Sequence, residues 1–96
     1  MRLLEFFLMW AKSLEEWLGS RNIVLKIGAS PPDIPKPAVW VAIVSLDEES
    51  ELILWETGEA EFACKHAGGE VVQEHHEIAD ISELGRLLSR LLMSIN

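Results

Sequence analysis

The chain has 96 residues, of which 49% are hydrophobic and 25% charged, which suffices for one domain with a single core. Its formal net charge of −8 argues against a nonspecific nucleic-acid binder, because such a surface repels phosphate, and favours a partner with a basic surface. A single cysteine excludes an intrachain disulfide, and we expect one domain over residues 1–96.

The apolar N-terminal segment does not fit a signal peptide. Glu5 interrupts the apolar run, Arg2 is the only early cation, and no small-residue cleavage pattern follows. A helix lying on a membrane usually carries Lys and Arg on its polar face, whereas Glu15 and Glu16 stand there in this chain. We therefore expect a cytoplasmic protein that binds no membrane.

A helix is predicted over residues 3–18. Its apolar residues recur at alternating spacings of three and four, which places them on one helix face: Leu3, Phe7, Trp10, Leu14 and Trp17. Gly19 then offers a residue that tolerates positive φ past the last turn. We expect Trp10 and Trp17 to lie in a core between the helix and a sheet.

Five strands are predicted after the helix. A first strand over Ile23–Ile27 leads into a stiff loop with four prolines in seven residues, and a continuous apolar strand over Ala38–Val44 follows it. The acidic segment 47–50 makes the next turn. Two strands, Leu52–Glu56 and Glu59–Lys65, then flank a hairpin turn at Thr57-Gly58.

A two-residue turn fixes the register of this hairpin. It sets Trp55 opposite Ala60 and Ile53 opposite Phe62, and puts these four side chains with Cys64 on the core face. The other face would hold these residues: Leu52, Leu54, Glu56, Glu59, Glu61 and Ala63. The same register sets Glu56 opposite Glu59, a repulsive pair.

The C-terminal part is predicted to add an edge strand and a helix. Val71–Ile78 alternates poorly, which is typical of an edge strand, and Asp80 and Glu83 have the spacing of a capping box. Leucines at helical spacing follow over residues 84–95. The fold class is therefore α+β: an antiparallel sheet of four to five strands with the N- and C-terminal helices packed on one face.

No catalytic or metal site is predicted. Cys64, His66, His75 and His76 lack the paired short spacings of a structural zinc site. Cys64 falls on the predicted core face, where a thiol is inert. Because no glycine-rich phosphate loop is present either, we expect no enzyme, no cofactor and no small-molecule substrate.

The acidic second half of the chain gives the candidate partner-binding surface. Residues 47–83 carry twelve acidic side chains against one lysine. On the predicted open face they surround two leucines, and an apolar patch rimmed by one charge sign is typical of a surface that binds a basic protein. The candidate contacts, with two added from the edge strand, are Leu52, Leu54, Glu56, Glu59, Glu61, Glu74 and His76.

Several segments resemble the TriTu family of bacterial immunity proteins. The resemblance rests on the aromatic helix Phe6–Trp17, the proline-rich connector, Leu54–Glu61 (LWETGEAE), and residues 68–78 followed by Ser82-Glu83-Leu84, and it covers roughly residues 6–92. It implies a cytoplasmic antitoxin that binds the ADP-ribosyltransferase domain of a polymorphic toxin and neutralises it stoichiometrically, without chemistry of its own.

Two other classes of function stay open from the residues alone. One is a non-enzymatic adaptor or chaperone-like subunit of a bacterial secretion system, in which the same apolar residues serve an effector or a homodimer. The other is a small enzyme or metal protein that uses Cys64 and the histidines.

Overall fold

The computed structural model describes residues 2–31, 33–66 and 68–93. Along the chain these residues form α1 (Leu3–Gly19), β1 (Val24–Ala29), β2 (Ala38–Val44), β3 (Glu48–Trp55), β4 (Glu59–His66), β5 (Val71–Glu77) and α2 (Ile81–Met93). The strands pair antiparallel in chain order, so the sheet is a five-stranded meander with β1 and β5 at its edges. The predicted α+β class is confirmed, and β5 is the expected edge strand.

Both helices cover the same face of the sheet. Helix α1 packs against β1 and β2, α2 packs against β3, and the two helices contact each other. One buried cluster joins the helices to the inward side chains of β2, β3 and β4, with Phe7, Leu18, Leu84, Leu88 and Leu91 as helix members. Neither helix of the described residues covers the other face, which we call the open face.

The register of the β3–β4 hairpin differs from the predicted one by one residue. Leu54 is the cross-strand partner of Ala60, and Leu52 that of Phe62, because the loop holds three residues rather than two. Gly58 closes this loop with φ of 94° and donates its N–H to the Trp55 carbonyl at 2.9 Å. Side chains alternate along a strand, so this slip moves every side chain of β3 to the opposite face.

The predicted burial of Ile53 and Trp55 is therefore wrong. Both are half-buried side chains of the open face, and Leu52 and Leu54 occupy the core in their place. The prediction for β4 is confirmed, since Ala60, Phe62 and Cys64 are buried.

Helix α1 ends differently from the sequence prediction. Gly19 is the last helical residue, and the positive φ falls on Asn22, at 61°, where the Ile23 N–H reaches back to the Leu18 carbonyl at 3.1 Å. Asparagine tolerates this left-handed conformation better than most residues. Trp17 is 47% exposed beneath the Arg21 guanidinium, so its predicted place in the core is wrong.

The capping box of α2 is confirmed in its main contact. The Glu83 N–H donates to the Asp80 carboxylate at 2.9 Å, and the Glu83 carboxylate accepts from the Ala79 N–H at 3.0 Å. In the described part of the chain, no helix has both the length and the apolar character needed to cross a membrane.

Candidate partner-binding surface

One row of cross-strand neighbours crosses all five strands on the open face. It consists of Gly28, Trp40, Ile53, Glu61 and His75. Trp40 is 39% exposed, and its indole ring lies over Gly28, where any Cβ would overlap the ring. Because Gly28 has no side chain, the Trp40 ring can pack against the sheet at this position.

Trp55 lies next to this row and extends its apolar surface. It is the cross-strand neighbour of Ala38, and the Lys36 Nζ lies 5.2 Å from the centre of its ring. The same Nζ lies 2.6 Å from a carboxylate oxygen of Glu59. Lys36 therefore links the proline-rich loop to both an aromatic ring and a carboxylate of the open face.

Carboxylates surround this apolar centre. The outward positions of β3, β4 and β5 include Glu49, Glu51, Glu59, Glu61 and Glu77, against Lys26 and Lys65. We use the name open-face patch for Trp40, Ile53, Trp55, Glu59 and Glu61. An apolar centre with an anionic border suits the aliphatic stem and charged end of Arg or Lys side chains.

Glu59 has a positively charged neighbour, Lys36, and a negatively charged neighbour, Glu77. The hydrogen bond and charge of Lys36 hold the pKa of its carboxyl below the ordinary value. Glu77 is its cross-strand neighbour on β5, a like-charge pair that is unfavourable in the free protein. The predicted pairing of Glu56 with Glu59 is wrong, because Glu56 lies in the three-residue loop, 3.9 Å from the Arg2 guanidinium.

Glu61 is paired on the open face with the edge strand. Its carboxylate lies 2.7 Å from Nδ1 of His75. This hydrogen bond, with the charges of Glu77 and Glu59, raises the pKa of His75 above its ordinary value. Protonated His75 therefore offsets part of the negative charge at this edge of the patch.

Leu52 and Leu54 do not lie on the open face. Both have 0% exposure and belong to the core cluster beneath the helices. The expectation that they form the apolar part of an exposed surface is wrong, for the reason given by the shifted hairpin register. In the folded protein their place is taken by Ile53 and Trp55, with Trp40 beside them.

Glu74 and His76 lie on the helix side of β5, away from the patch. Arg90 of α2 makes two hydrogen bonds to the Glu74 carboxylate, at 2.8 and 2.7 Å, and His76 Nε2 lies 2.8 Å from it. These bonds, led by Arg90, lower the pKa of Glu74 to about 2, and the same pair raises the pKa of Arg90. Glu74 thus ties the edge strand to α2, and His76 bonds to Glu74 within the strand.

The described residues include one group with the atoms needed to ligate a metal. Glu48, Cys64 and His66 place a carboxylate, a thiol and an imidazole within 4.8 Å of one another. His75 and His76 lie apart from this group, on opposite faces of β5. Cys64 is buried as predicted, but the sequence pattern gave no reason to include Glu48 with it.

The sequence pattern did not indicate that Trp40, Ile53 and Trp55 lie on the surface of the open face. Ala38–Val44 is apolar at every position, so alternation in β2 cannot tell which side of Trp40 faces the helices. A glycine within a strand often marks a close approach by a neighbouring group, but the predicted first strand ends at Ile27, whereas β1 extends to Ala29 and includes Gly28.

The comparisons with known proteins bear on nearly the whole of this fold. The family model described as immunity protein TriTu matches residues 5–94, from α1 through α2. A comparison with curated proteins gives no match. Because the family model covers almost the entire chain and all five strands, the chain belongs to the TriTu family of immunity proteins.

Proposed function

We propose that this immunity protein neutralises a cognate toxin domain by covering it with the open face, and that the toxin is an ADP-ribosyltransferase delivered by a secretion system. The observation that carries the proposal is the uncovered sheet face, with tryptophans at its centre and carboxylates around them. The encounter takes place in the cytoplasm, and the protein contributes no catalytic step.

The aromatic side chains supply the affinity in this mechanism. Interface energy concentrates in a few large side chains near the centre of a contact, and tryptophan is enriched among them. Trp40 is already held in place over Gly28, so little conformational entropy is lost when a partner packs on it. Ile53 and Trp55 continue the same apolar surface on the neighbouring strand.

The carboxylates supply the association rate and the choice of partner. A face with five outward glutamates attracts a basic surface and repels an acidic one. A partner Arg or Lys placed between Glu59 and Glu77 would also relieve their mutual repulsion. In the free protein Lys36 already offsets part of this negative charge at Glu59.

The first experiment tests the aromatic centre. The protein is co-expressed with the toxin encoded by the neighbouring gene, growth rescue is scored, and affinity is measured with the purified domains. Trp40→Ala is expected to weaken binding about 30-fold or more and to reduce rescue. Trp17→Ala is the matched control, because Trp17 is similarly exposed but lies on α1, and it should bind like the parent.

The second experiment tests the carboxylates. Glu59→Gln/Glu61→Gln should slow association and reduce its salt dependence, whereas Glu15→Gln/Glu16→Gln removes the same charge from α1 and should leave both nearly unchanged. Equal effects of the two double variants would mean that only net charge matters. Parent-like binding by Trp40→Ala would contradict the open face as the contact surface.

A further inference from the structure

Three side chains with metal-binding atoms meet at the end of the sheet opposite the β3–β4 turn. Glu48 begins β3 and is the cross-strand partner of His66, which ends β4. Cys64 lies two residues earlier on β4 and therefore on the same, helix-side face. Residues from two strands thus converge, although they are 18 positions apart in the chain.

One ligand atom from each of the three residues can be chosen so that all of them lie within 4.8 Å of one another. Cys64 Sγ lies 3.8 Å from His66 Nε2, while the other ring nitrogen, Nδ1, lies 3.3 Å from a carboxylate oxygen of Glu48. A single ion takes only one of these two nitrogens. In a tetrahedral zinc site, a sulfur at about 2.3 Å and a nitrogen at about 2.0–2.1 Å from the metal lie about 3.6 Å apart. A shift of a few tenths of an ångström would bring the thiol and one imidazole nitrogen to that separation.

A carboxylate oxygen of Glu48 also favours a bound cation at the cluster. The second carboxylate oxygen of Glu48 is buried and has no hydrogen-bond partner among the described residues. Such an orphaned oxygen is costly in a folded protein. The contact of His66 with the other oxygen leaves this atom unsatisfied, and a bound cation would satisfy it.

Neighbouring groups support a thiolate ligand and access from solvent. Ser50 Oγ donates a hydrogen bond to Cys64 Sγ at 3.5 Å, which orients the sulfur in the way that groups around metal sites orient their ligands. A cleft of about 390 Å³ opens on Cys64 and His66, between Phe62 and Met93. An ion can therefore reach the cluster and keep a water molecule as a further ligand.

We propose that Glu48, Cys64 and His66 bind a divalent transition-metal ion of the zinc class, with one coordination position left to solvent. The ligand set decides the metal class, because thiolate and imidazole favour zinc and its neighbours while magnesium and calcium prefer oxygen alone. This inference does not depend on the proposed function, since the cluster lies on the helix side of the sheet and the open-face patch on the other.

Binding at this cluster would exchange a proton for the metal. The Cys64 S–H bond breaks, its proton passes to the solvent buffer, and the sulfur electron pair forms the bond to the ion. Glu48 supplies a carboxylate oxygen, and His66 supplies the lone pair of one neutral ring nitrogen. No oxidant or reductant takes part, and the thiol proton is released when the metal binds.

The test uses the full chain, treated with a chelator and then titrated with Co²⁺ as a spectroscopic probe for Zn²⁺. We expect one equivalent of cobalt to produce a near-ultraviolet thiolate-to-cobalt charge-transfer band, and Zn²⁺ to displace it. Cys64→Ser should abolish the band, and His66→Gln or Glu48→Gln should weaken binding about tenfold or more. Glu49→Gln and His75→Gln are matched controls that should bind like the parent.

Thermal unfolding gives a second measurement. Zn²⁺ should raise the melting temperature of the parent and of both controls, and leave that of Cys64→Ser unchanged, because only binding to the native state stabilises it. Circular dichroism shows whether each variant folds. If Cys64→Ser does not fold, His66→Gln is used in its place as the variant that lacks a ligand. Absence of the charge-transfer band in the parent, or undiminished cobalt binding by the folded ligand variants, would overturn the proposal.

Discussion

The contact of Trp40 with Gly28 shows how a single residue without a side chain shapes the candidate surface. The indole ring occupies the volume where a Cβ of residue 28 would stand. This contact fixes a large aromatic ring on the face of the sheet opposite α1 and α2. The residue that determines the position of the exposed anchor is therefore on the neighbouring strand, β1.

Gly28→Ala should displace the Trp40 ring. The added methyl group must overlap the indole unless the ring moves, and overpacking of this kind costs about 1–3 kcal/mol of unfolding free energy. Denaturant unfolding and near-ultraviolet circular dichroism would measure the loss and the altered tryptophan environment. Gly68→Ala is the control, because a Cβ there meets no neighbour within 4 Å. Equal unfolding free energies and equal near-ultraviolet spectra of the two variants would contradict the close packing of Trp40 on Gly28.

Truncation of Leu54 should mainly reduce stability, whereas truncation of Trp55 should mainly reduce toxin binding. Leu54→Ala opens a cavity in the core and should cost about 2–5 kcal/mol of unfolding free energy, whereas Trp55→Ala should cost less because its side chain is only half-buried. Trp55→Ala should instead weaken toxin binding. Chemical denaturation measures the unfolding free energy of both variants. A larger loss for Trp55→Ala than for Leu54→Ala would mean that Trp55 lies in the core, as the two-residue turn predicts.

Polar side-chain contacts attach the edge strand β5 to α2. The helix-side residues of β5 include Glu74 and His76, and Arg90 of α2 bonds to Glu74 through both carboxylate oxygens. Arg90 also lies with its guanidinium carbon 5.0 Å from the centre of the Phe62 ring. One arginine thus connects α2 with β4 and β5.

The Glu74 contact should make stability depend on acid. Its pKa is about 2 in the folded protein and lies near 4.5 without these partners, so its stabilisation is complete above about pH 4.5 and is lost as the pH falls towards 2. The difference in melting temperature between the parent and Glu74→Gln should therefore shrink over that range. Glu70→Gln serves as the control for lost charge, and a difference that does not change with pH would contradict the assignment.

Across the whole molecule, charge is separated along the sheet. Residues 47–83, with twelve acidic side chains and one lysine, form β3, β4, β5 and the connections around them, while residues 1–46 are nearly neutral. Since the strands are arranged in chain order, this sequence asymmetry becomes a spatial one. If the partner surface is basic, as we propose, this asymmetry would draw it towards the β3–β5 side of the open face.

Association with the toxin should slow strongly as salt is added. Electrostatic steering raises association rates by about 10–10³-fold at low ionic strength, and salt screens it over a Debye length of about 8–10 Å. Stopped-flow measurements at two ionic strengths should show a large fall in the association rate and a smaller change in the dissociation rate. A rate that is independent of salt would mean that the carboxylates only keep the surface solvated.

Local sequence patterns predict the elements and their chain order. Helical spacing in α1 and α2, the apolar run of β2 and the capping box are local signals, and each predicted helix and strand is present. The predicted turn over residues 47–50 is wrong, because β3 already begins at Glu48. The fold class and the family resemblance follow from these local features, because a meander of antiparallel strands needs only short connections between neighbours.

Which side of each strand faces the helices depends on contacts between elements that are distant in the chain. One extra residue in the loop that ends at Gly58 reverses β3, so Leu52 and Leu54 enter the core and Trp55 leaves it. Pairing across strands likewise brought Glu48 to Cys64 and His66, and Gly28 beneath Trp40. A strand alternates with a period of two, so its sequence fixes which residues share a face, while pairing and packing select the face that is buried.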